Sequence, residues 1–69
     1  MYDEFIVWLK DVMQRKNINQ SELARRCGFT PASVSRWLNG TRKITLSNAV
    51  DALYELGYHI VFVEDKQNA

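Results

Sequence analysis

Residues 33–43, SVSRWLNGTRK, bring together the hydroxyls of Ser33 and Ser35, the guanidinium of Arg36, the amide of Asn39, the hydroxyl of Thr41 and the cations Arg42 and Lys43. No nucleophile, base and acid recur at a spacing that would activate one another, and no glycine-rich loop is present to cradle a phosphate. One cysteine, Cys27, and one histidine, His59, exclude a disulfide framework and a metal cluster, so neither enzyme activity nor a cofactor is expected. The chemistry left is recognition: hydrogen-bond donors and cations arranged to meet an anionic partner.

The net charge of +1 conceals a polar distribution. Residues 15–43 carry Arg15, Lys16, Arg25, Arg26, Arg36, Arg42 and Lys43 against Glu22, a local +6, whereas residues 1–14 sum to −2 and residues 44–69 to −3. Such a run is either a solvated surface or the footprint of a bound polyanion, and the elements that carry it decide between them.

Phe5, Leu9, Val12 and Met13, with Ile6 and Trp8 beside them, recur at helical spacing and predict a first helix from residue 2 to about residue 16, with Asp3 and Glu4 in its first turn. Ile18 is expected to plug the core in the connection. Asn19 followed by Glu22 has the form of a capping box opening a second helix over about residues 20–27, which buries Leu23, Ala24 and Cys27 and stops at Gly28. Thr30-Pro31 starts a third, to about residue 38, and Asn39-Gly40 ends it. Thr45 caps a fourth, with an apolar face of Leu46, Ala49, Val50, Leu53 and Leu56 before Gly57. The period then changes: residues 58–64 are aromatic and β-branched and read as one strand, and residues 65–69 as a polar tail. The two Asn-X-Ser/Thr matches, at Asn19 and Asn39, are read as a helix cap and a helix stop rather than as glycan acceptors. The expected architecture is mainly α: one domain over residues 1–64, four helices and a C-terminal strand.

Helices joined by the three residues 28–30 make a helix-turn-helix, whose second helix is offered to the major groove of DNA. With Val34, Trp37 and Leu38 pointing inward, a step of about 100° per residue turns Ala32, Arg36 and Asn39 outward, flanked by Ser33 and Ser35. Trp37 shares the face of Val34 and is read as core, not as a base-stacking platform. Arg36 can pair bidentately with guanine O6 and N7, and the small Ala32, Ser33 and Ser35 admit close approach to base edges. Arg42 and Lys43 can neutralise phosphates, joined by Gln20 and Thr30 at helix starts and by Asn39 and Thr41 in the loop.

The segments NQSELARRCGFT, VSRWLNG, TRK and TLSNAVDALYELG, in that order over about residues 9–57, resemble the Cro-like and Xre-like helix-turn-helix regulators, which include phage repressors. The resemblance implies a phosphate-contacting glutamine at Gln20, base-facing positions at Ala32, Ser33 and Arg36, and a backbone-contacting loop from Asn39 to Lys43. Many relatives carry an arginine where Met13 stands and a glutamate where Leu38 stands. Here an apolar Met13–Leu38 contact is expected to replace that ion pair.

A lone strand leaves both edges unpaired, and residues 58–64 are largely apolar on both faces. Tyr58, Ile60, Val61, Phe62 and Val63 are therefore expected to form a homodimer interface by antiparallel pairing with a second copy, presenting two reading helices to a palindromic site. Some Cro-like repressors, and the antitoxin partners of kinase toxins, resemble this plan. Beside the repressor reading stand an antitoxin that binds a toxin protein and an interaction module that does not bind DNA. Cys27 is expected to be a small core residue and His59 structural. The longest apolar runs fall far short of the roughly 18 residues of a membrane span, and no secretion signal is recognisable, so a cytoplasmic protein is expected.

Overall fold

The computed structural model describes residues 3–66, within which four helices follow one another: α1 (Glu4–Arg15), α2 (Gln20–Cys27), α3 (Pro31–Asn39) and α4 (Leu46–Glu55). Each starts on a side chain that accepts from N–H groups of the first turn: Asp3 from Phe5 and Ile6, Asn19 from Glu22, Thr30 from Ser33, and Thr45 from Asn48. Tyr2, the expected start of the first helix, and residues 67–69 of the expected tail lie outside the described residues. The capping box at Asn19 is half formed. The Glu22 carboxylate turns forward to Arg25 Nη2 at 2.6 Å and Arg26 Nε at 2.9 Å, where both partners of each hydrogen bond are charged.

All four helices end alike. Asn17, Gly28, Gly40 and Gly57 take positive φ, and the N–H of the residue after each returns to a carbonyl five positions back: Ile18 to Met13, Phe29 to Ala24, Thr41 to Arg36 and Tyr58 to Leu53, at 2.8–3.0 Å. This is the Schellman closure, normally accompanied by an apolar contact from the residue that returns. Ile18, Phe29 and Tyr58 do pack on the core. Thr41 departs from the pattern, and it is there, past α3, that the chain enters the basic loop.

The core joins Leu9 and Val12 of α1, Leu23 and Ala24 of α2, Val34 and Trp37 of α3, and Ala52 and Leu56 beside and within α4's end. A fully buried leucine such as Leu23 contributes about 1.5–3 kcal/mol relative to exposure. Met13 is buried, Leu38 is half-buried against the same cluster, and the two line one cleft, so neither is fully solvated. The expected apolar face of α4 is corrected: burial runs through Ala49, Ala52, Leu53 and Leu56, while Leu46 and Val50 are exposed. At about 100° per residue those two fall roughly 70–110° away from the buried direction.

The expected strand is absent: residues 58–65 have no regular secondary structure. A strand needs a ladder, and no segment of this all-helical body offers one. Tyr58 is instead used inside the chain. Its N–H closes α4, its ring meets the edge of Trp8 at 5.2 Å, and Lys16 Nζ lies 5.6 Å from its centroid. Asp11 first and the Tyr58 hydroxyl second raise the pKa of Arg15, which ties the same corner together. Ile60 is half-buried, and Val61, Phe62 and Val63 are exposed. No helix among the described residues is long and apolar enough to cross a membrane.

Candidate nucleic-acid interface

α2 and α3 pack on each other across the three-residue turn of Gly28, Phe29 and Thr30. The turn is stapled from inside. Gly28, at φ 75°, takes the sharp left-handed bend that other residues resist, and the Phe29 ring meets Trp37 edge-on at 5.0 Å, holding the start of α3 to its middle. Val34 is fully buried and Trp37 nearly so, which sets the rotation of α3.

With that rotation, Ala32, Arg36 and Asn39 are exposed and Ser33 and Ser35 half-buried. The outward set is the one its spacing anticipates. Thr30 Oγ accepts from the Ser33 amide at 3.1 Å and donates to Ser33 Oγ at 2.9 Å, so the serine hydroxyl keeps its own proton for an outside acceptor. Asn39 Oδ1 accepts from the Thr41 N–H at 3.0 Å and from Thr41 Oγ at 2.7 Å. Both donors meet the amide oxygen, leaving the Asn39 NH2 directed to solvent with two hydrogens to donate. The Arg36 carbonyl also receives the Thr41 and Arg42 amides at 3.0 and 3.2 Å, folding the loop tightly against the end of α3. Thr30 and Thr41 are thus occupied in shaping the turn and the loop.

The cations divide into two groups. Arg15 pairs with Asp11 at 2.9 Å, and Arg25 and Arg26 share Glu22. The hydrogen bonds from Arg25 and then Arg26 hold the Glu22 carboxyl below its ordinary pKa, and Glu22 in turn raises that of Arg25. Arg36, Arg42 and Lys43 enter no ion pair among the described residues. Arg42 and Lys43 share a cleft with Asp3, Glu4, Phe5 and Trp37, but Asp3 is engaged in capping α1. The basic run is therefore ion-paired on α2, where one carboxylate serves two guanidiniums, and without ion pairs on α3 and its loop. That division was available from the i+3 and i+4 spacing of Arg25 and Arg26 from Glu22.

Gln20 is exposed at the first position of α2, next to backbone N–H groups that have no partner within the helix. Cys27 is half-buried, its Sγ 3.8 Å from the Asp51 carbonyl. Burial, then the nearby Glu55 and Asp51, push its pKa up, so the thiol stays protonated and bridges α2 to α4 as a small apolar group.

No curated protein and no solved structure matches the chain significantly. A helix-turn-helix family model matches residues 9–63, which takes in the turn, the outward face of α3 and the basic loop. The chain belongs to the Cro/C1-type helix-turn-helix family of DNA-binding regulators.

Proposed function

We propose that the protein is a sequence-specific transcription regulator, a dimeric repressor that occupies a palindromic operator with α3 in the major groove. The observation that carries this reading is the division of the cations. Family membership supplies DNA as the partner, and Arg36, Arg42 and Lys43, which enter no ion pair among the described residues, lie on the face and loop that the helix-turn-helix presents to it.

Arg36 is the base reader, its guanidinium free to pair with guanine O6 and N7, and Ala32, Ser33 and Ser35 make a low surface that lets the helix sink toward base edges. Arg42 and Lys43 neutralise phosphates. The Asn39 amide and Gln20, with the open N-terminus of α2, donate to phosphate oxygens and set the register of the helix in the groove. In the dimer, Ile60, Val61, Phe62 and Val63 supply apolar surface, while Tyr58 stays committed to its own chain. Two copies of α3 about 34–36 Å apart then meet successive major grooves on one side of the duplex.

Selection from a random duplex library at near-physiological salt tests the proposal. A palindromic consensus containing guanine in each half-site is the expected result. Recovery of unrelated sequences, with binding that vanishes above low salt, overturns it and favours an interaction module.

A further inference from the structure

Exposed apolar side chains away from the reading helix fall on α1, at Val7 and Trp8, on α4 and past Tyr58. On α4, Leu46, Val50 and Tyr54 recur every four residues and are 59, 39 and 75% exposed; past Tyr58, Val61, Phe62 and Val63 are 67, 78 and 84% exposed. We propose that in the dimer residues 60–64 of each copy lie as an arm along the Leu46–Val50–Tyr54 stripe of the other, antiparallel to α4. This rests on the dimeric reading above and identifies the surface that accepts each arm.

The two surfaces match in length. Leu46 to Tyr54 spans about 12 Å along a helix, and residues 60–64 in extended form span about 13 Å. In extended form the arm turns Phe62 to the stripe and Val61 and Val63 to the other side, and a twofold exchange then covers about 1,000 Å², the size of the smaller specific protein interfaces. A dimer built from strand pairing alone leaves the α4 stripe in water.

Charge selects the direction. An antiparallel arm brings Glu64 to the N-terminal end of α4, where the helix dipole is positive and the first turn holds no acidic residue. The opposite direction would set Glu64 toward Glu55 at the other end. Within its own chain the arm has no regular secondary structure, and Val61, Phe62 and Val63 stay exposed.

Cross-linking tests the arrangement. Val50→Cys and Phe62→Cys chains, each also carrying Cys27→Ser and only one of them tagged, are mixed, left to exchange partners and oxidised. The expected product is chiefly the mixed 50–62 disulfide at twice the chain mass, and Phe62→Asp is expected to halve the sedimentation mass of the otherwise unaltered protein. A 62–62 disulfide in place of the mixed one means arm against arm and overturns the α4 acceptor while leaving the dimer standing. A monomeric mass for the unaltered protein, at concentrations that saturate its selected duplex, overturns the dimer and the arm together.

Discussion

Lys43→Ala and Arg25→Ala each remove one exposed positive charge, yet the structure predicts different consequences for DNA binding. Lys43 enters no ion pair among the described residues and lies in the loop behind α3, so its ammonium displaces condensed counterions when it meets phosphate. Arg25 already hydrogen-bonds Glu22 through Nη2 at 2.6 Å and Nε at 3.2 Å. The slope of log K against log salt changes by about 0.9 per phosphate contact, so losing Lys43 from both copies of a dimer flattens it by about 1.8. Between about 50 and 200 mM salt, the unaltered protein should therefore lose about 12-fold more affinity than Lys43→Ala does. Arg25→Ala should keep the original slope. Fluorescence anisotropy titrations at four or five salt concentrations measure both, and circular dichroism confirms that these surface changes leave stability within about 0.5 kcal/mol. If Arg25→Ala flattens the slope as much as Lys43→Ala, the division of the cations does not govern phosphate contact and the reasoning fails.

Val34→Ala removes two buried carbons from the residue that sets the rotation of α3 and should cost about 2–3 kcal/mol in urea denaturation, a large share of the stability of so small a domain. Tyr58→Ala deletes both the Trp8 edge contact and the Lys16 cation–π contact; a loss of about 1–2.5 kcal/mol with altered tryptophan fluorescence is expected, whereas no change would show that the C-terminal segment is not anchored there. Glu22 holds its proton less tightly folded than unfolded, so its contribution is complete above the ordinary carboxylate pKa of 4.5 and is lost as pH falls through the lowered folded value. The stability gap between the unaltered protein and Glu22→Gln should accordingly close on acidification through that window and also shrink in high salt.

The helices were legible because their signals are local: Asn19, Thr30 and Thr45 each precede an apolar period, and Gly28, Gly40 and Gly57 follow one, whereas Asp3, expected inside the first turn of α1, is its cap. The break of α1 at Asn17 to Asn19 is legible too, and Asn17 makes it by taking the left-handed conformation, for which asparagine is the usual substitute for glycine. The strand was misread because β propensity reports fitness for a pleated surface, and whether residues 58–64 gain one depends on a partner that lies far away or in another chain. Leu46 and Val50 were assigned to the core for a related reason: helical spacing defines a stripe, but the width actually covered depends on which neighbours pack there. At the site, the positions on α3 followed from periodicity once Val34 and Trp37 had been placed inward. The engagement of Thr30 and Thr41 in the turn and loop, and of Glu22 with both arginines, depended on rotamers that spacing alone does not choose.

The central claim is that Arg36 reads a base from the outward face of α3. Measuring dissociation constants of the unaltered protein and Arg36→Ala for the selected duplex and for a scrambled one, at the same near-physiological salt, tests it most directly. A bidentate arginine–guanine contact contributes about 1–3 kcal/mol, so the selected duplex should be bound about 5- to 150-fold more weakly per half-site while the scrambled duplex changes far less. Equal losses on both duplexes, or none on either, would contradict the account and remove Arg36 from sequence recognition.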